Sequence, residues 1–256
     1  MYKNFLNKVD TKKRKNSSDK LTLIDQKTPF EIREAYKSLY TNILYLNSPE
    51  KCKKIAITSA VPGEGKTTLA TNLAATIASN SENKKVLLID TDMRQPKVNR
   101  ILSLDIRGRG LSEYLAGIDD KPYLNYLPKL NLTVLTAGGP NVNPTMLVGS
   151  SRMTQLIELC ERQFDYIIID TPPINVVTDA LLLNDIVNGY ILSVLSDYSN
   201  VNDYSECVRS LERIGARVFG VVLSSFKAQR GTSGYSRYSS KYSKYSKYSK
   251  YSRYSK

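Results

Sequence analysis

The chain has 256 residues, a length suited to one α/β domain and short for two, and 37 Lys+Arg against 24 Asp+Glu give it a net charge of +13. Residues 227–256 hold nine of the cations and no acid, and residues 1–20 hold seven cations and two acids, so the 21–226 body is nearly neutral and no generally basic nucleic-acid-binding fold is implied. With no His there is no His-based metal site, proton shuttle or Ser/His dyad, and the three widely spaced cysteines (Cys52, Cys160 and Cys207) fit reduced thiols of a cytoplasmic protein better than a disulfide frame or zinc cluster.

In chain order, residues 1–27 read as a basic, flexible segment, polar over roughly the first 20. They carry no apolar stretch resembling a signal peptide. Helical spacing begins at Pro29-Phe30 and runs through Ile32, Ala35, Tyr36, Leu39, Ile43 and Leu46 to a stop near Asn47-Ser48-Pro49. Glu31 and Glu34 fall early in that helix, where carboxylates favour the dipole. From Lys54 short apolar runs alternate with helical ones. Strands are predicted at 55–59, 86–89, 132–135, 166–169, 190–195 and 218–223, and helices at 67–78, 152–163, 178–187 and 203–215. The runs are continuously apolar, as in strands buried on both faces, so residues 28–226 are read as one mostly parallel, doubly wound α/β domain. No apolar run approaches the ~18 residues that a membrane-crossing helix needs. Beyond the Gly231–Gly234 hinge, Tyr235, Tyr238, Tyr242, Tyr245, Tyr248, Tyr251 and Tyr254 recur among Ser and Lys/Arg. Residues 227–256 are therefore expected to be a low-complexity, disordered tail.

Three motifs carry chemistry. Ala60-Val-Pro-Gly-Glu-Gly-Lys-Thr-Thr68 lies between a strand and a helix and follows the P-loop pattern, with Ala60 where the first Gly usually stands. Pro62, Gly63, Glu64, Gly65, Lys66, Thr67 and Thr68 are the nucleotide-binding candidates: glycines for a backbone that curls around phosphate, Lys66 for the β- and γ-phosphates, the Thr67 hydroxyl for Mg²⁺. Val86-Leu-Leu-Ile-Asp90-Thr-Asp92-Met-Arg94 ends a buried strand in two carboxylates that can turn toward one crevice. Tyr166-Ile-Ile-Ile-Asp170-Thr-Pro-Pro173 reads as a Walker B strand, whose Asp can hold Mg²⁺ directly or through water. Three acids with a P-loop lysine suit phosphoryl transfer from ATP, which needs charge neutralisation and alignment more than a covalent nucleophile. A P-loop NTPase fold is expected.

This series of motifs, closed by a terminal tyrosine cluster, resembles the bacterial tyrosine kinases of capsular and exopolysaccharide synthesis. The likeness runs over about residues 28–226 and includes Gly110–Gly117, Asn143–Leu147 and Ser151–Met153. It implies ATP-dependent phosphorylation of protein tyrosines, with the seven tail tyrosines as autophosphorylation sites used in trans. It implies catalytic roles for Lys66, Asp90, Asp92 and Asp170, with Mg²⁺ on Thr67, Asp92 and Asp170. The acceptor's proton goes to Asp90 or Asp92, Asp90 being favoured; the role of Arg94 stays open. The implied partners are a membrane-embedded polysaccharide co-polymerase-type adaptor that activates the kinase, substrate proteins of polysaccharide synthesis, a cognate tyrosine phosphatase and further copies of the chain. The implied location is the cytoplasmic face of the cell membrane, reached through the adaptor.

One departure concerns self-association. The family's E-x-x-R-x-x-R helix motif, which helps subunits form a ring, is here Glu34, Lys37 and Tyr40. Lysine keeps the charge but loses the bidentate fork, and tyrosine loses both. Two rival readings remain. A partition or division-site ATPase would carry a signature lysine where Val61 stands. The tail could instead bind anionic polymer by charge and stacking. Seven phosphotyrosines, each adding about −1.5 to −2, would reverse the tail's charge, which points to assembly before phosphorylation and dispersal after it.

Overall fold

The computed structural model describes residues 6–8 (backbone only), 23–46, 50–81, 83–104, 109–140 and 143–225. The whole tyrosine tail and most of the 1–27 segment lie outside the described residues. The elements are β1 (Leu6–Lys8), α1 (Phe30–Leu44), β2 (Lys53–Ser59), α2 (Lys66–Asn80), β3 (Val86–Asp90), α3 (Val98–Ile101), α4 (Leu111–Leu115), β4 (Leu124–Leu127), β5 (Leu132–Leu135), α5 (Pro144–Val148), α6 (Ser151–Glu161), β6 (Tyr166–Asp170), β7 (Gly189–Leu195), α7 (Val201–Arg213) and β8 (Val218–Ser224).

The strands form one sheet in the order β1-β4-β5-β3-β6-β2-β7-β8. From β5 to β8 all neighbours are parallel; β4 runs antiparallel to β5, and β1 lies parallel to β4. The order sets β3, β6 and β2 side by side in the middle of the sheet, so the phosphate loop after β2 and the loops after β6 and β3 open next to one another at the strands' carboxyl ends. That is where an open α/β sheet offers a crevice.

Alternation along the central strands feeds two helical layers. Ile55, Ile57, Val86, Leu88, Tyr166 and Ile168 pack with Leu69, Leu73 and Ile77 of α2 and Ile43 of α1. Leu87, Ile89, Ile167 and Ile169 turn the other way, against Met153, Leu156, Ile157 and Cys160 of α6 and Leu111 and Tyr114 of α4. Burial on both faces is why these strands read as unbroken apolar runs. A third cluster sets Ala56, Tyr190 and Leu192 against Cys207 and Leu211 of α7. Helix α2 is buried along almost its whole length, and its alanines and threonines let it lie close to both the sheet and α1. All three cysteines are free and buried.

The six predicted strands are present, and the doubly wound, mostly parallel sheet is the one expected. Three readings need correction. Leu6–Lys8 is a strand on the free edge of β4, inside the segment read as unstructured. Strand β4 escaped the sequence reading because it has four residues, bounded by Pro122 and Pro128, with a buried Asn125 breaking its apolar run. The helix predicted over 178–187 is a 3₁₀ helix at Leu181–Ile186, closed by bonds such as Leu181 N to Thr178 O (2.9 Å). The side chain just before it, Asp179, is drawn away into a polar network described below.

Candidate active site

The P-loop leaves β2 at Ser59, and its backbone is held on both sides. The Ser59 and Ala60 carbonyls accept from Ile174 N and Asn175 N, at 2.9 and 3.1 Å, which joins the loop to the segment after β6. Gly63 and Gly65 have φ of 89° and 81°, a left-handed region that a side chain disfavours. Gly65 then caps α2, whose first residues are Lys66 and Thr67. The open amides of this first turn and the positive end of a 15-residue helix favour an anion there.

Strands β3 and β6 bring two acids together: Asp90 and Asp170 are register partners. Both are fully buried. Asp90 accepts Asp92 N at 3.1 Å and Val98 N at 3.2 Å, so it also shapes the turn that follows. Asp92 accepts Gln95 N at 3.0 Å on one oxygen and the Lys66 ammonium at 2.7 Å on the other. Neither oxygen of Asp170 makes a hydrogen bond of ordinary geometry among the described residues, although the Thr67 hydroxyl lies near enough to lower its pKa.

The electrostatics follow from this crowding. Burial, then the charges of Asp170 and Asp92, raise the pKa of Asp90 well above the ordinary carboxylate range. Burial likewise pushes Asp170 up to about 6, with the Lys66 charge pulling against it. Burial alone would lower the Lys66 amine, but Asp170, Asp92 and Asp90 outweigh it and leave the pKa raised.

An orphaned, fully buried carboxylate beside a P-loop is costly unless a cation meets it, so Asp170 fits a divalent metal. Among the described residues no three acids, histidines or cysteines converge as a ready ligand set. Mg²⁺ takes one or two protein oxygens and completes its shell with water and phosphate. Thr67, buried at the start of α2, is the hydroxyl on the P-loop side.

Three positions differ from the sequence reading or were missed by it. Lys66, expected to face phosphate, is 8% exposed and ion-paired to Asp92. The Glu64 side chain serves the loop itself: one oxygen accepts Val61 N at 2.9 Å, and the other accepts the Ser199 hydroxyl. Arg94 gains a defined place, donating to Asp179 from Nε at 3.1 Å and to the Thr145 hydroxyl at 2.8 Å, while Thr145 donates to Asp179 at 2.6 Å. Asp179, 1% exposed, thus ties the turn after β3 to α5 and to the 3₁₀ helix. No local pattern in the sequence marks Asp179, Ser193, Tyr198 or Ser199.

Helix α1 bears on the altered E-x-x-R-x-x-R motif. Lys37 pairs with Glu34 at 2.8 Å within the helix. Tyr40 turns inward, its hydroxyl 2.5 Å from Ser81 Oγ and its ring edge-on to Tyr166.

The family model for the CobQ/CobB/MinD/ParA nucleotide binding domain matches residues 55–244. The tyrosine-protein kinase CpsD of Streptococcus pneumoniae serotype 4 is 37% identical over 192 residues, 75% of this chain and 83% of that protein. Among solved structures, the chimerical protein CapA2B2 superimposes with a TM-score of 0.71 at 30% identity, covering 79% of this chain and 91% of that one. The kinase domain of the Escherichia coli tyrosine kinase ETK gives a TM-score of 0.70 at 30% identity, over 78% of this chain and 79% of its own. With the P-loop, the paired Asp90 and Asp170 and the D-x-D-x-R turn in one crevice, the chain belongs to the bacterial protein-tyrosine kinases of capsule type, within the CobQ/CobB/MinD/ParA nucleotide-binding family.

Proposed function

We propose that the chain transfers the γ-phosphoryl group of ATP to protein tyrosines, and that the tail tyrosines of neighbouring copies are among its acceptors. The observation that carries this reading is the unpartnered, buried Asp170 carboxylate beside Lys66 and the start of α2. A divalent cation at the mouth of the phosphate loop would meet that buried charge. Thr67, Asp92 and Asp170 would hold Mg²⁺, which when bound neutralises phosphate charge. Lys66, now parked on Asp92, would move to the phosphates; the amides of Gly63 and Gly65 and the first turn of α2 would bind their oxygens.

In the transfer, the phenol oxygen of the acceptor bonds to phosphorus as the bridging P–O bond to ADP breaks, and the phenol proton goes to a carboxylate. Asp90, whose proton affinity is raised by burial and by Asp170 and Asp92, is the carboxylate proposed for that role.

Regulation of capsular or exopolysaccharide synthesis through a membrane adaptor is part of the same proposal. CapA2B2, a chimera that this chain resembles, supports it, and no helix among the described residues is long and apolar enough to cross a membrane. A cytoplasmic position at the membrane would then come from the adaptor, and a phosphatase would reset the tail. Self-association through α1 would have to proceed without residue 40, which is engaged inside its own domain. The partition-ATPase reading is not favoured, because Val61 stands where the signature lysine belongs.

The test mixes a Lys66→Met chain with an intact tail and an active chain truncated before Tyr235. Phosphotyrosine on the Lys66→Met tail is expected. Labelling confined to chains with both Lys66 and a tail would establish transfer in cis, and release of phosphate with no phosphotyrosine at all would return the chain to the ATPases.

A further inference from the structure

The phosphate loop is tied, at two alternate peptides, to residues about 130 positions away in the chain. The Tyr198 hydroxyl donates to the Pro62 carbonyl at 3.0 Å, and the Ser193 hydroxyl donates to the Glu64 carbonyl at 2.6 Å. There is no cis peptide among the described residues. In a trans peptide the C=O of one residue and the N–H of the next point in opposite directions. Holding the Pro62 carbonyl toward Tyr198 therefore aims the Gly63 N–H away from it. Holding the Glu64 carbonyl toward Ser193 aims the Gly65 N–H away from that side. Those two amides belong to the residues whose left-handed φ makes the loop curl.

The side that supplies these hydroxyls is anchored at Ser193, whereas Tyr198 stands 57% exposed on the turn that follows. Ser193 is a fully buried residue of β7, which pairs with β2 at the register Ser59↔Ser193. The turn after β7 closes tightly: Asp197 has φ 61°, Ser199 N donates to Leu195 O at 2.9 Å, and Leu195 N donates to Ser199 Oγ at 2.8 Å. Ser199 in turn donates to the Glu64 carboxylate, whose other oxygen takes the Val61 N–H. Val61 N–H is thereby spent inside the loop, while the Gly63 and Gly65 amides are turned away from these hydroxyls. Tyr198 lies directly over the loop: a Cβ added to Gly63 would sit 3.0 Å from its Oη.

We infer that Ser193 and Tyr198 are positioning residues for the phosphates of a nucleoside di- or triphosphate. Their hydroxyls fix two peptide planes so that the Gly63 and Gly65 amides are aimed before ligand arrives, with Glu64 and Ser199 as the brace between them. The inference rests on the nucleotide-binding reading of the crevice and extends it to β7 and its turn. Two prealigned donors cost no reorganisation when phosphate binds. Without the hydroxyls, each peptide can rotate and part of the loop must be ordered by the ligand.

The test uses the full-length chain with Tyr198→Phe, which keeps the ring, Ser193→Ala, and the two together. Mg·ADP binding is measured by calorimetry, and KM and kcat by titration with ATP. Each single change is expected to weaken Mg·ADP binding about three- to tenfold, the scale of one lost hydrogen bond, and the pair by more. KM for ATP should rise accordingly, with kcat at saturation within about twofold of wild type, because the lost contact serves ground and transition state alike. The Tyr198→Phe chain without nucleotide should melt slightly below wild type but well above the temperature of the binding measurement, so that weaker binding does not reflect unfolding. If Ser193→Ala does not fold, Tyr198→Phe decides alone. Unchanged ADP affinity in Tyr198→Phe, or a fall in kcat at constant KM, overturns the inference while leaving nucleotide binding intact. A wild-type chain that binds no Mg·ADP overturns both.

Discussion

The Lys66 ammonium and the Asp92 carboxylate meet at 2.7 Å, with side chains 9% and 5% exposed, at the point where the P-loop and the turn after β3 face each other. A buried pair of this kind contributes little net stability over apolar packing, but breaking it leaves a charge stranded. Lys66→Met is therefore expected to do two things. It abolishes phosphorylation, and it lowers the unfolding free energy by about 3 kcal/mol, because Asp92, Asp90 and Asp170 lose their shared cation. Adding Asp92→Asn should restore part of that stability and none of the activity. Denaturant titration of the two variants checks this; a Lys66→Met chain as stable as wild type would show that the pair does not persist in solution.

Asp170 sets a pH dependence of unusual sign. Its carboxyl is pushed up to about 6, chiefly by burial, and that of Asp90 is raised as well. The folded chain then binds more protons than the unfolded chain between about pH 4 and 6, so stability falls as pH rises through that window. Asp165, whose pKa is lowered by its bonds to Lys85 and Lys84 against a burial effect that raises it, acts in the opposite sense but only below about pH 4. With chelator present and no nucleotide, the denaturation midpoint should be higher at pH 5 than at pH 7, and Asp170→Asn should remove much of the difference. A midpoint that climbs from pH 5 to 7 in wild type would contradict this charge assignment.

Much of this site was legible because it sits in contiguous motifs. The phosphate-loop motif around Lys66 is nine consecutive residues between a strand and a helix, and Asp90 and Asp170 each end an apolar run that reads as a strand, with Asp92 two residues on. The fold was legible for the same reason: strands buried on both faces leave no polar positions to blur them. What stayed hidden depends on side chains that meet across the fold. Glu64 and Ser199 are 135 positions apart, and Arg94 and Asp179 are 85 apart. Strand β4 was missed because four residues between prolines carry too little periodicity to register. Lys66 was read as facing phosphate because the motif defines its bound role, whereas the structure shows the partner it keeps otherwise.

Asp179 joins three segments, and its removal should be felt at all of them. Asp179→Ala leaves Arg94 and Thr145 without their acceptor and frees the turn that carries Asp92. We expect a loss of about 1–3 kcal/mol in stability, the scale of hydrogen bonds to a charged carboxylate, since Arg94 is exposed and Thr145 half-buried. Asp179→Asn, which keeps the shape and one acceptor oxygen, should lose less. Kinase activity should fall in the same order, with the Mg²⁺ concentration for half-maximal rate rising as Asp92 loosens. If Asp179→Ala matched wild type in both stability and Mg²⁺ requirement, the network would have no bearing on the site.

In the proposed reaction Asp90 and Asp92 would divide the remaining chemistry between them, and their surroundings differ. Asp92 reaches across the crevice to Lys66, the position from which a carboxylate can join a metal once Lys66 moves to phosphate. Asp90 lies one step deeper, holding two backbone amides, with its proton affinity raised by burial and by the acids around it. If Asp90 takes the acceptor's proton, kcat should fall on the acid side of its raised pKa as that carboxyl becomes protonated. Asp90→Asn should then lower kcat by about 10²–10⁴-fold and flatten this acid limb, while Mg·ADP still binds. Asp92→Asn should instead keep the limb and raise the Mg²⁺ requirement. Because Asp90 also shapes the turn, Mg·ADP affinity serves as the control that Asp90→Asn remains folded at the site. A limb that survives in Asp90→Asn and vanishes in Asp92→Asn would move the proton to Asp92 and leave Asp90 as the residue that holds the turn.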